Sequence, residues 1–423
     1  METTDCGLLV IGAGHAGSEL ALAARQGGWP GRIVLAGDED GLPYQRPPLS
    51  KVYLLGRSDV AALELRSAAA YEAAAIERMP GVRMVALDRV AHTVTLADGR
   101  TLRYDKLALC TGGRPRPLTC AGLDAAHSPV NLAYLRTRAD ADSIRAALQP
   151  NVRIMVVGGG YVGLEVAASA RGQGAQVTVL ESQPRVLARV AGEPVSRFYE
   201  DVHRQAGVTV LTGAGVSRME CDGARIVAVH TSTGQRLPAD LVVAGIGMLP
   251  NIEAARETGL ALETGIPVDA LARTADPDIV AAGDCTVQHD ARYDLTLRLE
   301  SVPNALEQAR AAASWLVGQP KPNRSVPWFW SDQYDLKLQM AGLAQGHDRC
   351  VLRGDPATRS FCAFYLQGDR LLAVDAVNRP ADFMAVRRAL TRDLRPRIEA
   401  LADASFPLKE LLVEAEAAAQ PHG

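Results

Sequence analysis

The sequence predicts an α/β protein made of two Rossmann-type units and a C-terminal α+β domain. Three observations carry this expectation. A short apolar strand runs into a glycine turn and a helix near the start of the chain. The same order recurs from Val152. From Ser325 the texture changes to alternating strands, with aromatics concentrated in a chain that is only 5% aromatic overall.

In the first unit, Leu8-Leu9-Val10-Ile11 precedes Gly12-Ala13-Gly14-His15-Ala16-Gly17, and residues 18–25 read as helix. In this context G-x-G-x-x-G marks a dinucleotide site. The glycines let the backbone approach a pyrophosphate, and the helix N-terminus offers unpaired N–H groups. Gly12, Gly14 and Gly17 are the candidate contacts. A second strand, 33–35, leads to Gly37-Asp38-Glu39, where Asp38 is placed to accept ribose hydroxyls. The second unit repeats every part: strand 152–157, Gly158-Gly159-Gly160-Tyr161-Val162-Gly163, helix 164–173, and strand 177–180 ending in Glu181. A matched pair in matched context implies two dinucleotide-binding domains in one chain. The Glu181 carboxylate favours a free 2′-hydroxyl and repels a 2′-phosphate, which selects NADH over NADPH; Arg185 nearby works against that preference.

At 423 residues the chain is too long for one core. A hydrophobic content of 48% with 22% charged residues is that of a water-soluble globular protein. A net charge of −3 offers no global field to recruit nucleic acid or an anionic membrane, and neither is expected as a partner. No apolar run reaches the length of a membrane span, and a first strand beginning by Leu8 leaves no room for a targeting peptide. The seven cysteines are scattered without a C-x-x-C pair, which suits thiols packed as small hydrophobes in a reducing cytoplasm. No metal site is expected.

Between the units, prolines stiffen the stretch 42–51, which presents Lys51. Two readings stay open there, a charge set against a cofactor and an ordinary surface connection. Residues 82–98 read as alternating strands, and strand 106–109 runs into Cys110-Thr111-Gly112-Gly113 before Arg114-Pro115-Arg116-Pro117 breaks regular structure. A helix is expected over 139–148. Strand 241–247 carries Gly245 and Gly247 where a backbone passes close to a ligand. Strand 279–284 delivers Asp284 at its C-terminal end, where it can bind a polyol such as a flavin's ribityl chain or simply close a turn. The helix opening at 301–310 would seat negative charge at its N-terminus. The aromatic stretch 327–334 reads as core. The arginines at 387, 388, 392, 395 and 397 are either a solvated helix face or a docking patch for an acidic partner.

Taken together, several segments resemble one family: Pro47-Pro48-Leu49-Ser50-Lys51, Thr111-Gly112-Gly113-Arg114-Pro115-Arg116-Pro117, Gly158-Gly159-Gly160-Tyr161-Val162-Gly163-Leu164-Glu165, Glu300-Ser301-Val302-Pro303-Asn304-Ala305 and Trp328-Phe329-Trp330-Ser331-Asp332-Gln333-Tyr334. The chain resembles the FAD-dependent, NADH-oxidising ferredoxin reductases that serve bacterial oxygenases. The resemblance implies a glutathione-reductase-like fold, with an FAD domain at 1–113 and 249–324, an NADH domain at 114–248 and a C-terminal domain at 325–423. Carried over by position, Ala16, Asp38, Lys51, Val85, Thr111, Gly112, Arg136, Asp284 and Val302 would contact FAD. Gly158, Gly160, Tyr161, Val162, Gly163, Glu165, Glu181 and Gly247 would line the NADH side.

The same resemblance implies hydride transfer from NADH to FAD, then single-electron steps to a [2Fe-2S] ferredoxin feeding a haem monooxygenase or related oxygenase. Lys51, Glu165 and Trp330 would act at the flavin, with Glu165 orienting Lys51. Arg310, Lys409, Arg387 and Arg388 would meet the ferredoxin, and the protein would be a monomer. The alternatives are a rubredoxin reductase and a redox-responsive interaction protein resembling apoptosis-inducing factor. A disulfide reductase needs a cysteine pair beside the flavin, and a peroxidase of this fold needs a cysteine between Cys6 and Cys110; the sequence has neither.

Overall fold

The computed structural model describes residues 3–124, 127–392, 398–408 and 410. Its contacts gather the chain into two compact units. One comprises Met1–Gln45, Val60–Arg114 and Met248–Pro327; the other comprises Arg46–Asp59, Pro115–Gly247 and Trp328–Gly423.

The first unit is built on a five-stranded parallel sheet in the order Ile279–Ala281, Lys106–Leu109, Leu8–Ile11, Ile33–Ala36, Ile76–Met79. Its central strands are apolar on both faces because both faces are covered. Leu8, Val10, Ile33 and Leu35 point to one side, against the helices His15–Gln26 and Val302–Leu316. Those helices meet along Ala16, Ala24, Ala305, Ala309 and Ala312, small side chains that let two backbones approach. Leu9, Ile11 and Val34 point to the other side, where Leu87, Val94, Leu96 and Leu102 come from a four-stranded sheet of Thr3–Asp5, Thr101–Arg103, Thr93–Leu96 and Met84–Asp88. Period-two alternation thus divides one sheet between two cores.

The second unit repeats the parallel sheet: Leu132–Tyr134, Leu241–Ala244, Arg153–Val157, Gln176–Glu181, Thr209–Thr212. In both sheets the strand before the glycine turn has a sequence-distant neighbour on one side and its own βαβ partner on the other. That is a topological switch point, the place where open parallel sheets bind ligands. The unit also holds an antiparallel sheet of Val216–Asp222, Arg225–Thr231 and Arg236–Pro238. A five-stranded antiparallel sheet follows, in the order Trp328–Gln333, Leu336–Gly342, Arg370–Val377, Ser360–Gln367, Arg349–Asp355. The helix Pro380–Thr391 lays Phe383, Val386 and Leu390 against it.

The helix expected at 139–148 is Arg138–Ala147, started by a capping box between Thr137 and Asp140. The proline stretch closes into the single turn Pro47–Ser50. The compact units follow contacts and put residues 46–59 and 328–423 with the second unit. One expectation is corrected outright. Cys6, Cys110, Cys285 and Cys362 are buried thiols, but Cys120 and Cys350 are half-buried and Cys221 is exposed, on a sheet strand with one solvated face.

Candidate functional site

In the first unit, Gly12 has φ +106, and a Cβ placed on it would lie 2.1 Å from the Cys110 carbonyl oxygen. Only glycine fits that turn. A Cβ on Gly17 would lie 1.9 Å from the Gly12 carbonyl oxygen, so the helix packs directly on the strand end. The helix enters through Gly14 in an extended conformation, with no side-chain cap, and a Cβ on Gly14 would meet nothing within 4 Å. The helix start is thus open above Gly14 and without a side-chain cap. This is a cradle shaped for a pyrophosphate, and the residues present fit one half of an FAD.

Other expected residues gather around this turn. Thr111 and Gly112 follow directly from Cys110, and the Thr111 hydroxyl donates to the Asn251 carbonyl at 2.6 Å. A Cβ on Gly283 would sit 3.2 Å from the Ala16 methyl and 3.6 Å from that of Ala305, which brings the loop carrying Asp284 against both helices. Val302 opens its helix behind Ser301, whose side chain accepts from the Asn304 N–H at 3.2 Å. Asp38 is exposed just past its strand, and the turn beside it is tight enough that a Cβ on Gly37 would meet Ala13 at 2.6 Å. Val85 stands apart, 42% exposed at an irregularity in the edge strand Met84–Asp88.

The second unit reproduces the turn almost contact for contact. Gly158 has φ +107, with a would-be Cβ 2.3 Å from the Gly245 carbonyl oxygen, and that of Gly163 would lie 2.1 Å from the Gly158 carbonyl oxygen. Gly160 is extended, carries no side-chain cap and faces open space. The Glu181 carboxylate is held from two sides: one oxygen accepts from the Gly159 N–H at 2.7 Å, the other from the Gln183 N–H at 2.7 Å. Arg185, the residue that argued against NADH, is turned away onto the carbonyls of Ala191 (2.8 Å) and Ala188 (3.1 Å). Gly247 has φ +108, and its carbonyl accepts from the Arg116 N–H at 2.9 Å. Val162 is 45% exposed at the helix start, whereas the Tyr161 hydroxyl donates to the Met340 sulfur at 2.8 Å and its ring lies 4.7 Å from that of Phe329.

The same unit brings Lys51 and Glu165 together. Glu165, buried, pairs with the Lys51 ammonium at 2.7 Å through Oε2, which also accepts from the Ser50 hydroxyl at 2.5 Å. Its Oε1 accepts from the Ser331 hydroxyl at 2.6 Å. The Lys51 ammonium donates a further bond to the Pro47 carbonyl at 3.2 Å, made possible by the tight turn of the prolines. A buried ion pair demands such added bonds, since its oxygens would otherwise lose water without replacement. Ser50 and Ser331 went unrecognised in the sequence as site residues, although both lie inside stretches that carry the resemblance. Trp330 is half-buried beside Trp328 (5.6 Å between rings) and Phe329 (6.0 Å), so these aromatics are not the closed core that composition suggests. Arg136 is also in this unit, with its carbonyl taken by Arg46 at 2.7 Å.

Of the expected docking residues, Arg310 is half exposed and paired with Glu19 (2.7 Å) and Glu307 (3.0 Å). Arg387 lies over the Trp328 ring at 4.7 Å, and Arg388 is exposed. Lys409, like Arg395 and Arg397, lies outside the described residues. Among the described residues no helix is long and apolar enough to cross a membrane.

Comparison with known proteins agrees with this geometry. A family model described as pyridine nucleotide-disulphide oxidoreductase matches residues 7–309, and one described as reductase C-terminal matches residues 328–412. Putidaredoxin reductase CamA of Pseudomonas putida is 47% identical over 412 residues, covering 97% of each chain. Rhodocoxin reductase of Rhodococcus erythropolis is 42% identical over 404 residues, covering 95% of this chain and 93% of its own. Among solved structures, the covalent putidaredoxin reductase–putidaredoxin complex matches with a TM-score of 0.94 at 46% identity, covering 98% of this chain and 100% of that one. The ferredoxin reductase for the CYP199A2 system from Rhodopseudomonas palustris matches at 0.92 and 42% identity, covering 96% and 99%.

Proposed function

The chain belongs to the pyridine nucleotide-disulphide oxidoreductases, and from there we propose that it is an FAD-dependent reductase drawing electrons from NADH and passing them singly to a [2Fe-2S] ferredoxin of an oxygenase system. The observation that carries the reading is the duplicated glycine turn, each copy with an open, uncapped helix start. Relatives that bear the names of ferredoxin-type reductases support the choice of acceptor.

FAD supplies the ability to take two electrons together and release them one at a time. The chain's own residues bind and orient. Gly12, Gly14, Ala16 and Gly17 seat the FAD pyrophosphate, Asp38 takes the adenosine ribose, and Asp284 takes the ribityl hydroxyls; Val85, Thr111, Gly112 and Arg136 complete the FAD contacts. The helix starting at Val302 directs its dipole at negative charge. Gly158, Gly160, Tyr161, Val162, Gly163 and Gly247 hold NADH. Glu181, fixed by two backbone N–H groups, turns away a 2′-phosphate, and Arg185 does not answer it because its guanidinium is spent on carbonyls. Lys51 would supply positive charge beside the bound flavin, Glu165 orients Lys51, and Trp330 would sit near the ring. The FAD domain is 1–113 with 249–324, the NADH domain 114–248 and the C-terminal domain 325–423.

A dithiol mechanism has little support. Burial pushes the Cys110 thiol well up and raises that of Cys285, leaving little thiolate to react. We place the protein in the cytoplasm as a monomer, docking its ferredoxin through Arg310, Lys409, Arg387 and Arg388. The test is NADH-driven reduction across a panel of ferredoxins and rubredoxins, with NADPH as control. Fast turnover with a [2Fe-2S] ferredoxin and NADH is expected; faster turnover with rubredoxin, or equal rates with NADPH, would overturn the acceptor or the donor.

A further inference from the structure

We infer that His203, acting through Gln333 and Ser331, is a positioning residue for Glu165 and thereby for Lys51, an inference that rests on the role proposed above for that ion pair. A buried chain of hydrogen bonds links them. His203 Nε2 lies 2.8 Å from Gln333 Oε1, an amide oxygen that only accepts, so Nε2 carries the proton and Nδ1, 3.1 Å from the Tyr334 hydroxyl, accepts from it. Gln333 Nε2 donates to Ser331 Oγ at 3.1 Å, and the Ser331 hydroxyl donates to Glu165 Oε1 at 2.6 Å. His203, Gln333, Ser331 and Glu165 are all buried. Ser331 and Gln333 sit two apart on the strand Trp328–Gln333 and share a face, which strings them between the helices Tyr161–Gly172 and Glu193–Gln205.

Every bond in the chain donates toward Glu165. Protonation of His203 at Nε2 alone sets that direction. With the proton on Nδ1 instead, Gln333 would have to turn its amide N–H to the imidazole and its oxygen to Ser331. The Ser331 hydroxyl would then donate to Gln333, and a buried carboxylate oxygen would lose its partner. Two features bear on the tautomer: one limits the ring to a single proton, the other sets a hydroxyl at Nδ1. Burial pushes the His203 pKa down to about 4, so the ring is neutral at working pH. Tyr334 adopts φ +57, a left-handed conformation uncommon for a bulky residue, in the turn that brings its hydroxyl to Nδ1.

The experiment is stopped-flow reduction of the FAD-loaded protein by NADH, read as limiting rate and NADH Kd, with the melting temperature of each variant. His203→Leu is expected to slow the limiting rate by about tenfold with little change in Kd, because one charge-directed hydrogen bond is lost. His203→Gln, whose Nε2 can replace the imidazole donor, should stay within about twofold of the native rate. Tyr334→Phe removes only the hydroxyl at the partly exposed end and tests the relay even if His203→Leu fails to fold; a slowing of about threefold is expected. In a Lys51→Met background His203→Leu should add nothing. If Lys51→Met itself leaves the rate unchanged, the reading of the ion pair fails. If Lys51→Met slows reduction while His203→Leu or Tyr334→Phe does not, or while Leu and Gln at 203 slow it equally, the relay fails.

Discussion

Lys51 and Glu165 show how much one residue's role depends on what holds it. The ammonium is bracketed by the Glu165 carboxylate at 2.7 Å and the Pro47 carbonyl at 3.2 Å, so its position is set before any substrate arrives. Removing one preorganised charge of this kind costs about 3 kcal/mol at the transition state. Lys51→Met is therefore expected to slow flavin reduction by about a hundredfold while FAD stays bound, as checked by stopped-flow absorbance and by the flavin-to-protein ratio. Lys51 was legible in the sequence because its proline-rich flank matches a family pattern. His203 was not, since nothing in its local sequence separates a relay histidine from one that merely fills a core. Ser50 and Ser331 meet on Glu165 only after folding brings distant strands and helices together.

Among the elements, the two glycine turns were the most legible part of the chain. Their residues are dictated by backbone clearance, which leaves a fixed spacing. Gly12→Ala would drive a methyl toward the Cys110 carbonyl at 2.1 Å, and Gly158→Ala would do the same against Gly245 at 2.3 Å. Gly12→Ala is expected to yield protein largely free of flavin absorbance. Gly158→Ala should keep its colour and raise the KM for NADH at least tenfold, consistent with a turn strained by one Cβ. A visible spectrum and an NADH titration separate the two. The strand Ile76–Met79 was missed for the opposite reason. It lies at a sheet edge with only Ile76 buried, so its sequence lacks the apolar run that marks its neighbours.

Across the whole molecule, two buried groups pull stability in opposite directions as pH changes. His203 titrates near 4 in the fold and near 6.5 unfolded, so its contribution is complete above about 6.5 and is lost as pH falls toward 4. Burial raises Asp375 from 3.8 to about 7, although the Tyr365 hydroxyl donating to it at 2.7 Å pulls the other way. Its contribution is complete below 3.8 and is lost as pH rises through 7. Each slope is at most about 1.4 kcal/mol per pH unit. Asp375→Asn should therefore gain on the native protein as pH rises from 4 to 7, and His203→Gln should gain as pH falls over 6.5 to 4; melting temperatures across that range decide both. Surface charge gives a separate expectation. If basic residues steer an acidic ferredoxin, the second-order rate of its reduction should fall severalfold between low salt and 0.5 M salt, while NADH oxidation with a neutral dye stays level.

The near-identity of the two glycine turns also bears on selectivity. Both apertures share their narrow clearances and helix starts without a side-chain cap. Neither aperture can tell one diphosphate-bridged cofactor from another. Discrimination falls to the acids beyond them, where Asp38 stands free of the turn's N–H groups and Glu181 is bolted to them. Exchanging the acid-bearing loops, rather than the glycines, is then the route to retuning which cofactor each half of the molecule prefers.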